Sequence, residues 1–189
     1  KPQDGEFIFR YNDAPILSAD DVLNRYEDWH DTSLWPTSKK EASIALSTAK
    51  KQGDPLTKPG LIGAFCRAHT IEDAIETFLS DEYTACAVEG RYTYTKGSTS
   101  AGLVVYDDKF AYSHHSTDPA GGKLCNAFDL VRLHKFGALD TDAVESTPVV
   151  KMPSYTAMVK LAGEDEATRR IISAEQAEDI KKSFKDSGF

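Results

Sequence analysis

Three β-rich runs follow one another closely: RYTYT (91–95), AGLVVY (101–106) and KFAYSHH (109–115), with Asp107-Asp108 between the last two. Aromatic and β-branched runs separated by two turn-forming residues favour an antiparallel hairpin. On either side the apolar period switches from two to that of a helix. In HTIEDAIETFLSDEY, Ile71, Ala74, Ile75, Phe78 and Leu79 fall at i, i+3, i+4, i+7 and i+8 behind Thr70 as N-cap. In NAFDLVRLHKFG, Asn126 can cap, Asp129 lies in the first turn and Gly137 can end the helix. A helix, several strands and a second helix, in that order, predict an α+β fold: a small antiparallel sheet with a hairpin, embraced by several helices.

The flanks are less regular. GEFIFRY alternates Phe7, Phe9 and Tyr11 against Ile8 and Arg10, which predicts a strand. LSADDVLNRYEDWH predicts a helix capped by Ser18, with Val22, Tyr26 and Trp29 on one face, and SKKEASIALSTAKK follows with Ser38 and Glu41 at capping-box spacing. QGDPLTKPG, with two prolines and two glycines, reads as a linker. Beyond the core an acidic loop, ALDTDAVEST, leads to PSYTAMVKLAG, where Ser154 can cap and Tyr155, Met158, Val159 and Ala162 form one stripe. The tail SAEQAEDIKKSFKDSGF carries a thin apolar line and is expected to fray. The organisation expected is therefore residues 1–57 as a strand and two helices joining to an upstream region, 58–140 as the core module, and 141–189 as the acidic loop with C-terminal helices.

Charge and cysteine usage narrow the function. A formal charge of −8 over 189 residues argues against an indiscriminate DNA binder, because phosphate attraction dominates non-specific binding, yet a local basic groove is compatible with it. Cys66, Cys86 and Cys125 are an odd, unclustered set, which suits a reducing compartment. No apolar run approaches the roughly 20 residues of a membrane span, and the N-terminus lacks the apolar core of a secretory signal. A cytoplasmic chain without a membrane partner is expected. The absence of an initiator Met suggests a fragment of a longer protein.

The most informative stretch is AYSHHSTDPAGGKLCNAFDLVR. Strand neighbours point to opposite faces, so one of His114 and His115 should be buried and the other available, with Asp118 in the following turn to orient an imidazole. His114, His115, Asp118 and Cys125 could supply zinc or another divalent metal, but no diagnostic spacing supports it, and no cofactor is the favoured expectation. CRAH (66–69) is half a zinc knuckle without a partner half. GSTSAG and DPAGGK are phosphate-compatible loops, but neither is a Walker loop, since Leu124 follows Lys123. The helix opened by Asn126 and Asp129 offers an N-terminus to an anion, with Lys123 just before it. Arg91, Tyr94, Lys96, Lys109, Tyr112, Lys123, Arg132 and Lys135 interleave cations with aromatic rings, the composition of a single-stranded nucleic-acid surface. The His-Asp pair in DWHD is weak evidence, and no residue pattern demands catalysis.

Read together, DPLTKPGLIGAFCRAHTIEDAIETFLSDEY, RYTYTKGSTSAGLVVYDDKFAYSHHSTDPAGGKLCNAFDLVRLHKFG and KMPSYTAMVKLA resemble a segment of prophage and mobile-island replication proteins of the virulence-associated protein E type. In that family the segment lies between a primase-like region and a helicase-like ATPase, and GEFIFRYNDAPILSADDVLNRYEDWHD looks like the stretch joining the primase-like region to it. The resemblance implies a non-catalytic module that binds single-stranded DNA or links the adjacent primase and helicase modules. The strand-turn-strand-helix layout is also similar to the zinc ribbon of bacterial primases, without its cysteine pairs. Two alternatives stand beside this reading: a metal-dependent nucleotidyl-transfer or hydrolase site at the His-His-Asp corner, and a protein-interaction adaptor using the helical tail from Glu164.

Overall fold

A computed structural model describes residues 15–33, 35, 48, 51–144 and 146–186. The strand expected in 5–11 and the Ser38–Glu41 capping box lie outside them. The first helix, α1, spans only Ala19–Leu23, far short of the 14 residues its pattern suggested. Ser18 and Asp21 cap it reciprocally, but it buries no residue. A five-residue helix with no packed face has nothing to extend it.

QGDPLTKPG is not a linker. Asp54 accepts from the Leu56 amide at 2.9 Å and opens a 3-10 turn, Pro55–Thr57, whose proline is buried. The stretch is held to the sheet by Gln52, which donates to the Leu124 carbonyl, and by Lys109, 2.7 Å from Asp54 Oδ2. Helix α2, Gly60–Ala68, follows and buries Gly63, Ala64, Phe65 and Cys66. Helix α3, Ile71–Phe78, has the predicted Thr70 cap, with Asp73 completing a capping box.

The sheet is an antiparallel meander of β1 (Tyr83–Ala85), β2 (Arg91–Tyr94), β3 (Leu103–Tyr106), β4 (Phe110–Ser113) and β5 (Leu124–Cys125), each strand paired with its sequence neighbour. β2, β3 and β4 answer to the three predicted runs; β1 and β5 were not anticipated. Asp107 and Asp108 both have φ +52°, left-handed backbone at the two central positions of a turn closed by Lys109 N donating to the Tyr106 carbonyl at 3.1 Å; with Lys109 they make three residues between the paired Tyr106 and Phe110. Asp108 also caps α3: its carbonyl accepts from Ile71 N and its carboxylate from Glu72 N, both at 3.2 Å.

Register aligns Tyr83 with Tyr94, Tyr92 with Leu103, Leu103 with Ser113, and Ala111 with Cys125. These residues share the inner face. Behind it lies α4, Ala127–Phe136, packed on β4, β5 and α3. The core between sheet and helices contains Phe65, Ile71, Leu79, Leu103, Phe128, Leu130, Val131 and Met158. Arg91, Val104, Tyr112 and Leu124 line up on the outer face.

A 3-10 turn, Gly137–Asp140, leads away from α4, and α5 spans Pro153–Glu164. Ser154 does not cap α5. Proline occupies the first helical position, as its fixed φ favours, and Ser154 sits one place further in, wholly buried. Helix α6, Glu166–Asp186, continues through the tail that was expected to fray. Its first half is anchored by buried Thr168 and by Glu175, which receives Arg67 Nε and a second guanidinium nitrogen at 2.7 and 3.0 Å. Among the described residues no helix is long and apolar enough to cross a membrane. The α+β class is as predicted.

Candidate functional site

The strand-turn-helix corner after β4 is a closed hydrogen-bonded lock. Asp118 sits in the turn with its side chain shielded from solvent. Its Oδ2 accepts from the hydroxyls of Tyr83 (2.7 Å) and Ser113 (2.6 Å). Its Oδ1 accepts from the Ala120 amide at 2.7 Å and lies 3.0 Å from His134 Nε2. His134 Nε2 also lies 2.7 Å from the Tyr83 oxygen. Tyr83 commits its one proton to Asp118, so the proton between these groups belongs on His134 Nε2, shared between the carboxylate and the phenol oxygen. His134 Nδ1 is buried with no partner among the described residues, which fits a lone pair there better than an unpaired N–H.

Burial alone would push the Asp118 carboxyl up. The bonds from His134, Ser113, Tyr83 and Ala120 together hold it below its ordinary value. Burial, and then the charge of Asp118, raise the Tyr83 phenol far above its usual range. The lock is thus an ionised carboxylate surrounded by four donors. It has neither an exposed nucleophile nor an open acceptor.

The neighbouring histidines diverge as strand alternation requires. His115 is 5% exposed on the inner side, 6.4 Å from the Tyr94 ring, whereas His114 is exposed and sits edge-on to Tyr112 at 4.9 Å on the outer side. Neither imidazole is among the hydrogen-bonding partners of Asp118; the ring that ties the turn is His134, reached from α4. His115 Nδ1 meets Thr99 Oγ1 at 3.1 Å, and its Nε2 is buried without a partner among the described residues. Burial, with the nearby charge of His114, lowers its pKa against the opposing pull of Asp118.

Glycines make room for this ring. A Cβ on Gly102 would stand 2.3 Å from His115 Nε2 and 2.6 and 2.7 Å from two ring carbons. Gly102→Ala should therefore cost about 1–3 kcal/mol. The same change made in a His115→Ala background should cost little, a coupling that urea unfolding of the double-mutant cycle measures directly.

The proposed nucleic-acid residues do not gather on one open face. Tyr94 is an inner-face core residue at 5% exposure. Arg132 is also interior: its guanidinium donates to Asp129 (3.2 Å) and Ser154 (2.8 Å) and lies 3.7 Å from Asp140, which pins α4 to α5. Lys96 bonds both oxygens of Glu82 at 3.0 Å, Lys109 is paired with Asp54, and Arg91 donates to the Ala101 carbonyl. Lys123 and Lys135 are exposed, Lys123 donating to the Pro119 carbonyl, and half-buried Tyr112 lies on the outer face near His114.

The N-terminus of α4 is not open to an anion. Asn126 is 1% exposed, its oxygen accepts from Asp129 N at 2.9 Å, its amide donates back to Asp129, and Ala127 and Phe128 are buried behind it. Cys125 is buried, and burial pushes its thiol up to about 12. Among the described residues no group of three or more histidine, cysteine or carboxylate side chains is placed to hold a metal; His114, His115, Asp118 and Cys125 do not converge.

Sequence reasoning missed Tyr83, Ser113 and His134, and it discounted DWHD. That motif forms a clasp. Asp31 bridges Ser100 in parallel, Thr32 Oγ1 donates to the Ser100 carbonyl at 2.6 Å, Ser100 N donates to the His30 carbonyl at 2.7 Å, and His30 Nδ1 lies 2.8 Å from the Ser98 carbonyl. Between Ser98 and Ser100 stands Thr99, the partner of His115. The N-terminal segment is thereby stitched to the β2–β3 loop, and the loop to the buried corner.

A family model described as the VapE N-terminal domain matches residues 1–38, which include the His30–Thr32 side of this clasp, so that segment is similar to the VapE type. No curated protein and no solved structure matches the chain.

Proposed function

We propose that this chain, similar over its first 38 residues to the VapE N-terminal domain, is a non-catalytic module of a phage or mobile-element replication protein of the primase-helicase kind. In this reading it links the adjacent catalytic modules, and its contact with single-stranded DNA is confined to a few exposed side chains. The observation that carries the reading is the clasp: the matched segment is hydrogen-bonded through Ser98 and Ser100 to the loop that touches His115. A module that transmits position between neighbours needs such a rigid join, and a buried, fully bonded carboxylate supplies rigidity rather than turnover. The DNA-facing residues in this reading are Lys123 and Lys135, the exposed cations of the set with no carboxylate partner among the described residues, together with Tyr112 and the neighbouring His114 on the outer face.

Fluorescence anisotropy with a labelled oligo-dT tests the DNA part. Binding should be weak and should fall steeply with added salt. Lys123→Glu and Lys135→Glu should each weaken it and reduce the salt slope by about one. Affinity that ignores both ionic strength and these charge reversals would remove DNA contact from the reading.

A further inference from the structure

The N-terminal segment carries a surface that no residue among those described covers. Ile16 is 98% exposed, Leu17 62%, Val22 44%, Tyr26 42%, Trp35 39% and Trp29 38%. Two ring pairs shape it: Tyr26 with Trp35 at 5.7 Å, and Trp29 stacked on His30 at 3.6 Å. Isolated exposed apolar residues are ordinary, but six large ones within twenty positions, on a segment whose helix buries nothing, mark an interaction face. Aromatic rings in this number would suit stacked bases if cations accompanied them. They do not: between Ile16 and Asp31 stand five exposed carboxylates and one cation, Arg25. A phosphate chain is repelled there.

We infer that this aromatic ledge is a protein-docking surface, and that its partner is a segment with an apolar stripe rimmed by lysine or arginine. The inference rests on the linking reading above and names the face through which a neighbouring module is held. The clasp at His30–Thr32 fixes one end of the ledge to the body, so a partner seated on it is positioned relative to the sheet.

The two tryptophans of the chain, Trp29 and Trp35, both lie on the ledge, so intrinsic fluorescence reports its occupancy directly. The test titrates the full chain with three probes: an amphipathic helical peptide of leucine and lysine, its leucine-glutamate counterpart, and oligo-dT. The lysine peptide should move tryptophan emission to shorter wavelength, and the glutamate peptide and oligo-dT should not. Leu17→Asp/Val22→Asp should weaken the lysine peptide roughly tenfold, although it adds negative charge, while the thermal melt stays unchanged.

Four results would overturn the inference: equal response to both peptides, undiminished binding by the double variant, a response to oligo-dT alone, or tryptophans already shielded from iodide in the free chain. Failure here with DNA binding intact sinks the ledge alone. Loss of DNA binding with the peptide response intact sinks only the DNA contact of the function proposed above.

Discussion

Asp118→Ala should lower the stability of the chain by about 3–5 kcal/mol, the cost of removing one partner from a buried charged network. The tyrosine, serine and imidazole donors and the Ala120 amide that now converge on the carboxylate would be left without an acceptor. Ser113→Ala, which removes one neutral donor and leaves the other three in place, should cost only about 1 kcal/mol. Urea unfolding followed by circular dichroism separates the two.

The same carboxylate gives a pH signature. Its pKa lies below the ordinary 3.8 in the folded chain, so its stabilisation is present above that value and is lost as pH falls through the folded-state value. Asp165, held low by bonds from His69 and Thr168 against the opposing effect of burial, acts in the same direction. Stability should therefore fall in the window below about pH 4, and Asp118→Asn should flatten that fall. An unchanged acid limb in Asp118→Asn would show that the carboxylate is not held as described.

Gly63→Ala should be the most damaging of the small substitutions, at roughly 3 kcal/mol or more. Alanine for glycine inside a helix ordinarily stabilises by about 0.5–1 kcal/mol. In α2, however, the new Cβ would stand 1.7 Å from the Lys58 carbonyl oxygen and 2.7 Å from an Arg67 guanidinium nitrogen. The obstacle is backbone, and it belongs to the turn that Arg67 holds by donating to the Leu56 and Lys58 carbonyls. Relief would separate 55–58 from α2 and disturb the Arg67–Glu175 pair that anchors α6. Gly163 in α5 is the control: nothing lies within 4 Å of its would-be Cβ, so Gly163→Ala should gain about 0.5–1 kcal/mol. Opposite signs at two helical glycines, read from thermal or urea midpoints, are the expected outcome.

How much of this was legible in the residues follows from the range of each interaction. α3, α4 and the three central strands obey strict periods, and the Asp107-Asp108 turn has local chemistry, so all were readable. β1 and β5 were not, because three and two residues are too few to show alternation and exist only through their partners. QGDPLTKPG misled because proline and glycine speak of turns, not of whether a turn is docked; Asp54 and Lys109 decide that across 55 positions. The corner was half legible. That Asp118 ties it could be argued from its place in the turn, but the nearest imidazole in sequence is not the nearest in space. His134 arrives on a helix and Tyr83 from a strand 35 residues earlier. Arg132 was unreadable for the same reason: composition counts it as positive, while the fold places it inside against Asp129 and Asp140.

The strictly consecutive order of the five strands has a consequence for how the chain comes into being. Each strand finds its partner in the segment made just before it, so the sheet can close in the order of synthesis, without the slow search that distant pairings impose. The helices that cover its inner face border it directly in the chain. A body assembled in this way takes its register from its own successive segments, and the sheet can form while the C-terminal helices are still being translated.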